Sequence, residues 1–276
     1  MALHAHAALF ALFVWYFSTG VILYLDGLAT RSFRWSMLGA TVLLAVALHG
    51  LALSSDDGTP FGAYLAFTCG VLAWAWQEMA FLMGFLTGPR RHGCAPNCGG
   101  WRHFAHAVQA LLYHELAIIA GAALVVAASW GGVNQVGTWT FMILWGMRES
   151  AKLNVFLGVR NLNEEFLPAH MAFLKSYLTK KSMNLLFPVS VTVSSVVAVV
   201  LVQRATDAAG SFAATAYTFL ATMLVLGLVE HWFMMLPLPF GQLWRWWLRS
   251  HQAAVAPPAL RVIEGGARLT ATKRGR

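Results

Sequence analysis

Six acidic or imidazole side chains, Glu78, His114, Glu115, Glu149, Glu230 and His231, stand inside long apolar stretches together with two bases, Arg148 and Lys152. Ionisable groups are costly in hydrocarbon, so each marks a candidate site. Four carboxylates at one depth cannot all be ionised unless something positive compensates them. Arg148 and Lys152 supply two charges, and Lys152 lies three residues after Glu149 on the same helix face. That pattern fits an ion-paired polar layer holding helices in register. Glu and His are also good ligands for iron, manganese or zinc, which makes the same six residues a candidate metal site. His114 and His231 could instead ligate the metal of a tetrapyrrole, either a chlorophyll magnesium or a haem iron. A proton relay or a substrate site is the remaining use.

Local motifs narrow these options. Position 118, three after Glu115, is Ile, so the H-E-x-x-H zinc-protease pattern is absent. The di-iron E-x-x-H pair is absent too, because Phe81, Ile118, Lys152 and Phe233 follow the four acids at that spacing. Cys94 and Cys98, with His92 before and His103 after, are ligand types suited to zinc. Without a second cysteine pair in this Gly- and Pro-containing loop, the sequence reads as a flexible linker in which a disulfide is not expected. For tetrapyrrole ligation, His49 and His106 are weaker candidates than His114 and His231. Nothing matches a phosphate-binding Gly-rich loop, a Ser-His-Asp set or a redox C-x-x-C, and no catalytic residue is assigned.

The elements that must position these groups follow from hydropathy. Apolar residues make up 58% of the 276 and charged residues only 11%, too little polar surface to cover a water-soluble domain. Seven stretches, 7–25, 36–53, 60–86, 104–130, 136–157, 185–203 and 212–236, approach or exceed the length a helix needs to cross a bilayer. The fold class is all-α, a polytopic helical bundle with its N-terminus outside. The first stretch has no basic residue before it and no small-residue cleavage site after it, and reads as a retained helix. By this topology Glu78, His114, Glu115, Glu149, Glu230 and His231 all fall in the cytoplasmic half of the membrane.

The net charge of +8 suggests nucleic acid until its residues are located. Sixteen Lys and Arg, from Arg31 to Arg276, fall on one side of the spans and only Arg204 on the other, so the positive-inside rule makes the sixteen cytoplasmic and the lipid surface their partner. No nucleic acid is implied. Pro168, Leu167, Met171, Leu174 and Leu178, beside Lys175, Lys180 and Lys181, predict an amphipathic surface helix near 165–182, with Glu164 and Glu165 complementing its N-terminus. Trp244, Trp246 and Trp247, among Arg245 and Arg249, predict headgroup-level anchors. The chain therefore divides into a transmembrane domain, 1–250, and a basic tail, 251–276, expected to be disordered.

Several segments resemble one known family: WYFSTG at 15–20, TGPRR at 87–91, NQVGTWTF at 134–141, SAKLNVFLGVRNLN at 150–163 with EEFLP following, LKSY at 174–177, FPVS at 187–190 and EHWF at 230–233. The chain resembles the photosynthetic complex assembly protein 2 family, also called PuhE. The resemblance covers all seven spans and fades after about Arg249. It implies a multi-pass protein of the bacterial cytoplasmic membrane, encoded near reaction-centre genes. It links the chain to building the photosystem or supplying bacteriochlorophyll, as an assembly factor whose partners are photosynthetic membrane proteins; the Glu and His layer suits the alternative, an accessory or electron-transfer subunit of a bacteriochlorophyll biosynthetic enzyme such as the oxidative cyclase.

Overall fold

The computed structural model describes residues 2–95, 97–162, 164, 167–236, 241–244 and 247. Seven long helices account for most of them: α1 Ala2–Asp26, α2 Thr30–Ser54, α3 Pro60–Leu82, α4 Gly100–Ala128, α5 Val136–Leu157, α6 Leu186–Asp207 and α7 Ser211–Phe233. Six are long and apolar enough to cross a membrane. The exception, α5, is 22 residues long but carries Arg148, Glu149 and Lys152. Its charged side chains find partners in protein, because α5 packs against α3, α4, α6 and α7. The chain is an all-helical multi-pass membrane bundle.

The helix starts follow local chemistry. Thr59 accepts a hydrogen bond from the Gly62 N–H at 3.2 Å, and Pro60 occupies the first turn of α3. Just before it, hydrogen bonds from the Thr59 hydroxyl and N–H hold the Asp57 carboxyl below the usual carboxylate range. The Asn184 side chain accepts from both Leu186 and Phe187, closing the N-terminus of α6 ahead of Pro188. Gly158 ends α5 at φ 127°, a conformation that L side chains rarely adopt.

Small residues set the distance between α3 and α5. A Cβ on Gly70 would lie 2.6 Å from the Gly137 carbonyl oxygen, and one on Gly137 would lie 2.6 Å from that of Ala66. The two backbones are in direct contact, which is how helices pack closely without a hydrophobic drive to associate.

Two expected surface elements take other forms. The connector between α5 and α6 holds a 3-10 helix, Ala169–Tyr177, rather than a longer amphipathic α-helix. Met171, Leu174 and Tyr177 are buried against Phe81 and Ala110, so this apolar face is covered by protein rather than laid on lipid. The connector is tied down close by, where Val159 and Lys180 bridge and the Thr179 N–H donates to the Val155 carbonyl, leaving few residues for α-turns. Trp244, expected at the headgroups, is 2% exposed and packs on Trp15 and Tyr16 of α1. Gly20 leaves room for Trp247, since a Cβ there would lie 2.3 Å from the indole. Glu165, Trp246, Arg245, Arg249 and the tail 251–276 lie outside the described residues.

Candidate functional site

Lys152 on α5 donates to Glu115 of α4 at 2.7 Å and to Glu149, one turn back on its own helix, at 2.8 Å. One turn earlier on α5, Arg148 pairs with Glu78 of α3 at 3.0 Å. The two bases thus close on three of the four acids. The fourth, Glu230 of α7, has no basic partner within salt-bridge distance among the described residues, and lines one cavity with Trp15 and Arg148. Helices α3, α4, α5 and α7 all contribute to this layer, with α5 at its centre.

The histidines stand apart from the acids. His231 is buried; its Nδ1 faces the Gly227 carbonyl at 2.8 Å and its Nε2 meets the Ser150 hydroxyl at 2.8 Å. A carbonyl only accepts, so Nδ1 carries the proton; in the neutral ring Nε2 then accepts from Ser150. His114 is fully buried, stacked on Phe81 with ring centroids 4.4 Å apart, and neither ring nitrogen has a hydrogen-bond partner. Among the described residues, no three of the six metal candidates Glu78, His114, Glu115, Glu149, Glu230 and His231 offer ligand atoms within 4.8 Å of one another. Their donor atoms face Lys152, Arg148, Ser150, Gly227 and Phe81 instead.

A buried imidazole with two unmade hydrogen bonds has a measurable cost. Replacing His114 by Phe, which keeps the stack on Phe81, is expected to raise stability by about 1–2 kcal/mol. Thermal unfolding in detergent measures this directly. A loss of stability with simultaneous loss of a bound pigment would instead assign His114 to a ligand. Ser150→Ala should cost about 1 kcal/mol, because it leaves the Nε2 of His231 buried without its partner.

Beside the ion pairs lies a cavity of about 400 Å³. Trp15 and Ser18 of α1, Trp74 and Glu78 of α3, Met147 and Arg148 of α5, and Gly227 and Glu230 of α7 line it, with Asn161 and Leu167 from the connector. Its size lies within the range of small-ligand sites, and an apolar wall with a few convergent polar groups is their usual lining. The sequence gives the acids and bases of this wall. Trp15, Ser18 and Asn161 were not singled out as site residues, because nothing in their local spacing links α1 or the connector to α7.

The loop after α3 departs from expectation. The Cys94 and Cys98 sulfurs lie close enough to be joined as a disulfide, with Cα atoms 6.1 Å apart, where separate thiols in a flexible linker were expected. A turn closed by the Cys98 N–H on the Ala95 carbonyl brings them together. The histidine beside them is His106, rather than the flanking His92 or His103.

A family model described as a protein of unknown function (DUF3623) matches residues 1–255. A protein of Rhodobacter capsulatus, described as an uncharacterized 30.4 kDa protein in the puhA 5' region, is 41% identical over 261 residues, covering 93% of this chain and 94% of that one. No solved structure matches the chain.

Proposed function

The chain belongs to the DUF3623 family of proteins of unknown function, and from that membership we propose that it is a membrane assembly factor for the bacterial photosynthetic apparatus, acting in the cytoplasmic membrane. The observation that carries this reading is the relative's position in the puhA 5' region, which ties the family to photosynthesis. The resemblance to the PuhE family points the same way. The geometry is compatible with a scaffold: Lys152 and Arg148 are engaged with acids on three helices, an arrangement suited to holding a bundle in one register while it presents a surface. Its partners are then reaction-centre or antenna subunits during assembly.

A second reading draws on the cavity. An accessory subunit of a bacteriochlorophyll biosynthetic enzyme would use this largely apolar chamber, with Glu230 and Arg148 in its wall, to hold a pigment intermediate.

A pull-down of the full chain from phototrophic membranes in mild detergent, with mass spectrometry of what co-purifies, separates the two. Stoichiometric reaction-centre or antenna subunits are expected. A biosynthetic enzyme in their place would favour the second reading, and neither would overturn both. Glu230→Gln adds a genetic check. Photosystem levels should stay near normal if the chain is a scaffold, and pigment intermediates should accumulate if the cavity handles them.

A further inference from the structure

In the loop between α3 and α4, the Cys94 and Cys98 sulfurs each lie 3.3 Å from Nδ1 of His106. The three donor atoms are all within 4.8 Å of one another, and all three residues are half-buried. The arrangement is held from outside the set. The Cys94 N–H donates to the Ser176 hydroxyl at 2.9 Å, and Arg90 reaches both the Tyr177 hydroxyl, at 2.7 Å, and the Gly93 carbonyl, at 3.3 Å. The Tyr177 hydroxyl in turn donates to the His92 carbonyl at 3.0 Å. The loop is therefore pinned to the 3-10 helix, while His106 is fixed on α4.

A single imidazole nitrogen facing two sulfurs has one lone pair to share between them. A cation placed on that lone pair would satisfy all three groups at once, and two soft thiolates with one imidazole are the donors zinc prefers. We propose that, with both cysteines reduced, Cys94, Cys98 and His106 bind zinc through their two Sγ atoms and Nδ1, leaving the fourth position to water or an exogenous ligand. Binding releases the two thiol protons and forms two Zn–S bonds and one Zn–N bond, with no change of oxidation state. His103, on the same helix, stacks on Phe156 with centroids 5.4 Å apart and stands outside the set. The ion would clamp the α3–α4 loop onto the start of α4, independently of the intramembrane layer and of the proposed assembly role.

The test uses the full chain, purified without a polyhistidine tag in mild detergent and a thiol-free reductant, then equilibrated with zinc chloride and desalted. Elemental analysis should find about one zinc per chain. Cobalt(II) in its place should give a sulfur-to-metal charge-transfer band. Cys94→Ser and Cys98→Ser should each remove the band, and His106→Ala should weaken zinc by more than the roughly 10–100-fold that losing an outer partner costs. His92→Ala should leave the metal in place. His106→Cys, which supplies a third sulfur, should restore the metal, and size-exclusion profiles report whether each variant is folded. A reduced, folded chain that takes up no zinc overturns the proposal, as does zinc uptake that survives all three ligand substitutions. A Cys94–Cys98 disulfide that resists reduction in the folded chain overturns it too.

Discussion

Lys152→Met will lower the stability of the folded protein by about 3 kcal/mol, because it leaves Glu115 and Glu149 facing each other with no base between them. Breaking one partner of a buried pair costs about 3–5 kcal/mol, and the lower end applies because the Glu149 side chain is 35% exposed. The decisive comparison is the triple variant Lys152→Met, Glu115→Gln, Glu149→Gln. With the charges removed together, most of the loss should return, since replacing a whole buried ionic group by neutral residues is often nearly neutral. Thermal unfolding of the wild type, Lys152→Met and the triple variant in one detergent measures both effects. If Lys152→Met is tolerated as well as the triple variant, the layer does not hold the bundle together.

The second large effect concerns the contact between α3 and α5. Gly137→Val should destabilise by about 3 kcal/mol, the upper part of the range for overpacking. A Cβ at that position meets the Ala66 carbonyl oxygen at 2.6 Å and Leu51 Cδ2 at 2.2 Å, and the Ala66 backbone cannot step aside as a side chain tip could. Gly70→Ala meets the Gly137 backbone from the other side, so the two substitutions should not add. Once the helices are forced apart, adding the second methyl costs less. Additive losses in the double variant would show that the two glycines do not share one contact.

The sequence makes much of this layer legible, and the reasons are physical. Long apolar runs locate the helices, and a rise of about 1.5 Å per residue places Glu78, Glu115, Glu149 and Glu230 at similar depth. The three-residue spacing makes the Lys152–Glu149 pair visible. Which acid on another helix each base takes is not visible, because that depends on the rotation of helices α3 and α4 about their axes. The same limit hides the hydrogen bond from Ser150 to His231 and the burial of His114 against Phe81. The 3-10 helix at Ala169–Tyr177 reads as an α-helix from its apolar spacing, which does not show that Thr179 and Lys180, just after it, are tied to Val155 and Val159 at the end of α5. The convergence of His106 on the cysteines, eight and twelve residues away, depends on how the loop folds back onto the first turns of α4. The sequence marks the chemistry of Cys94 and Cys98 but takes the wrong histidines for neighbours.

The central position of α5 bears on how the chain enters the bilayer. Arg148 and Lys152 would together cost about 5–7 kcal/mol at the centre of a helix surrounded by lipid. Alone at the insertion machinery, α5 is a poor stop-transfer segment. Its acid partners on α3 and α4 precede it in the chain, so they are already synthesised when it emerges. Insertion of α5 is therefore coupled to tertiary contact, and its commitment to the membrane waits until Glu78 and Glu115 can receive it. A nascent chain stalled after α5 should keep that helix in the membrane less often when Glu78 and Glu115 are both changed to Ala.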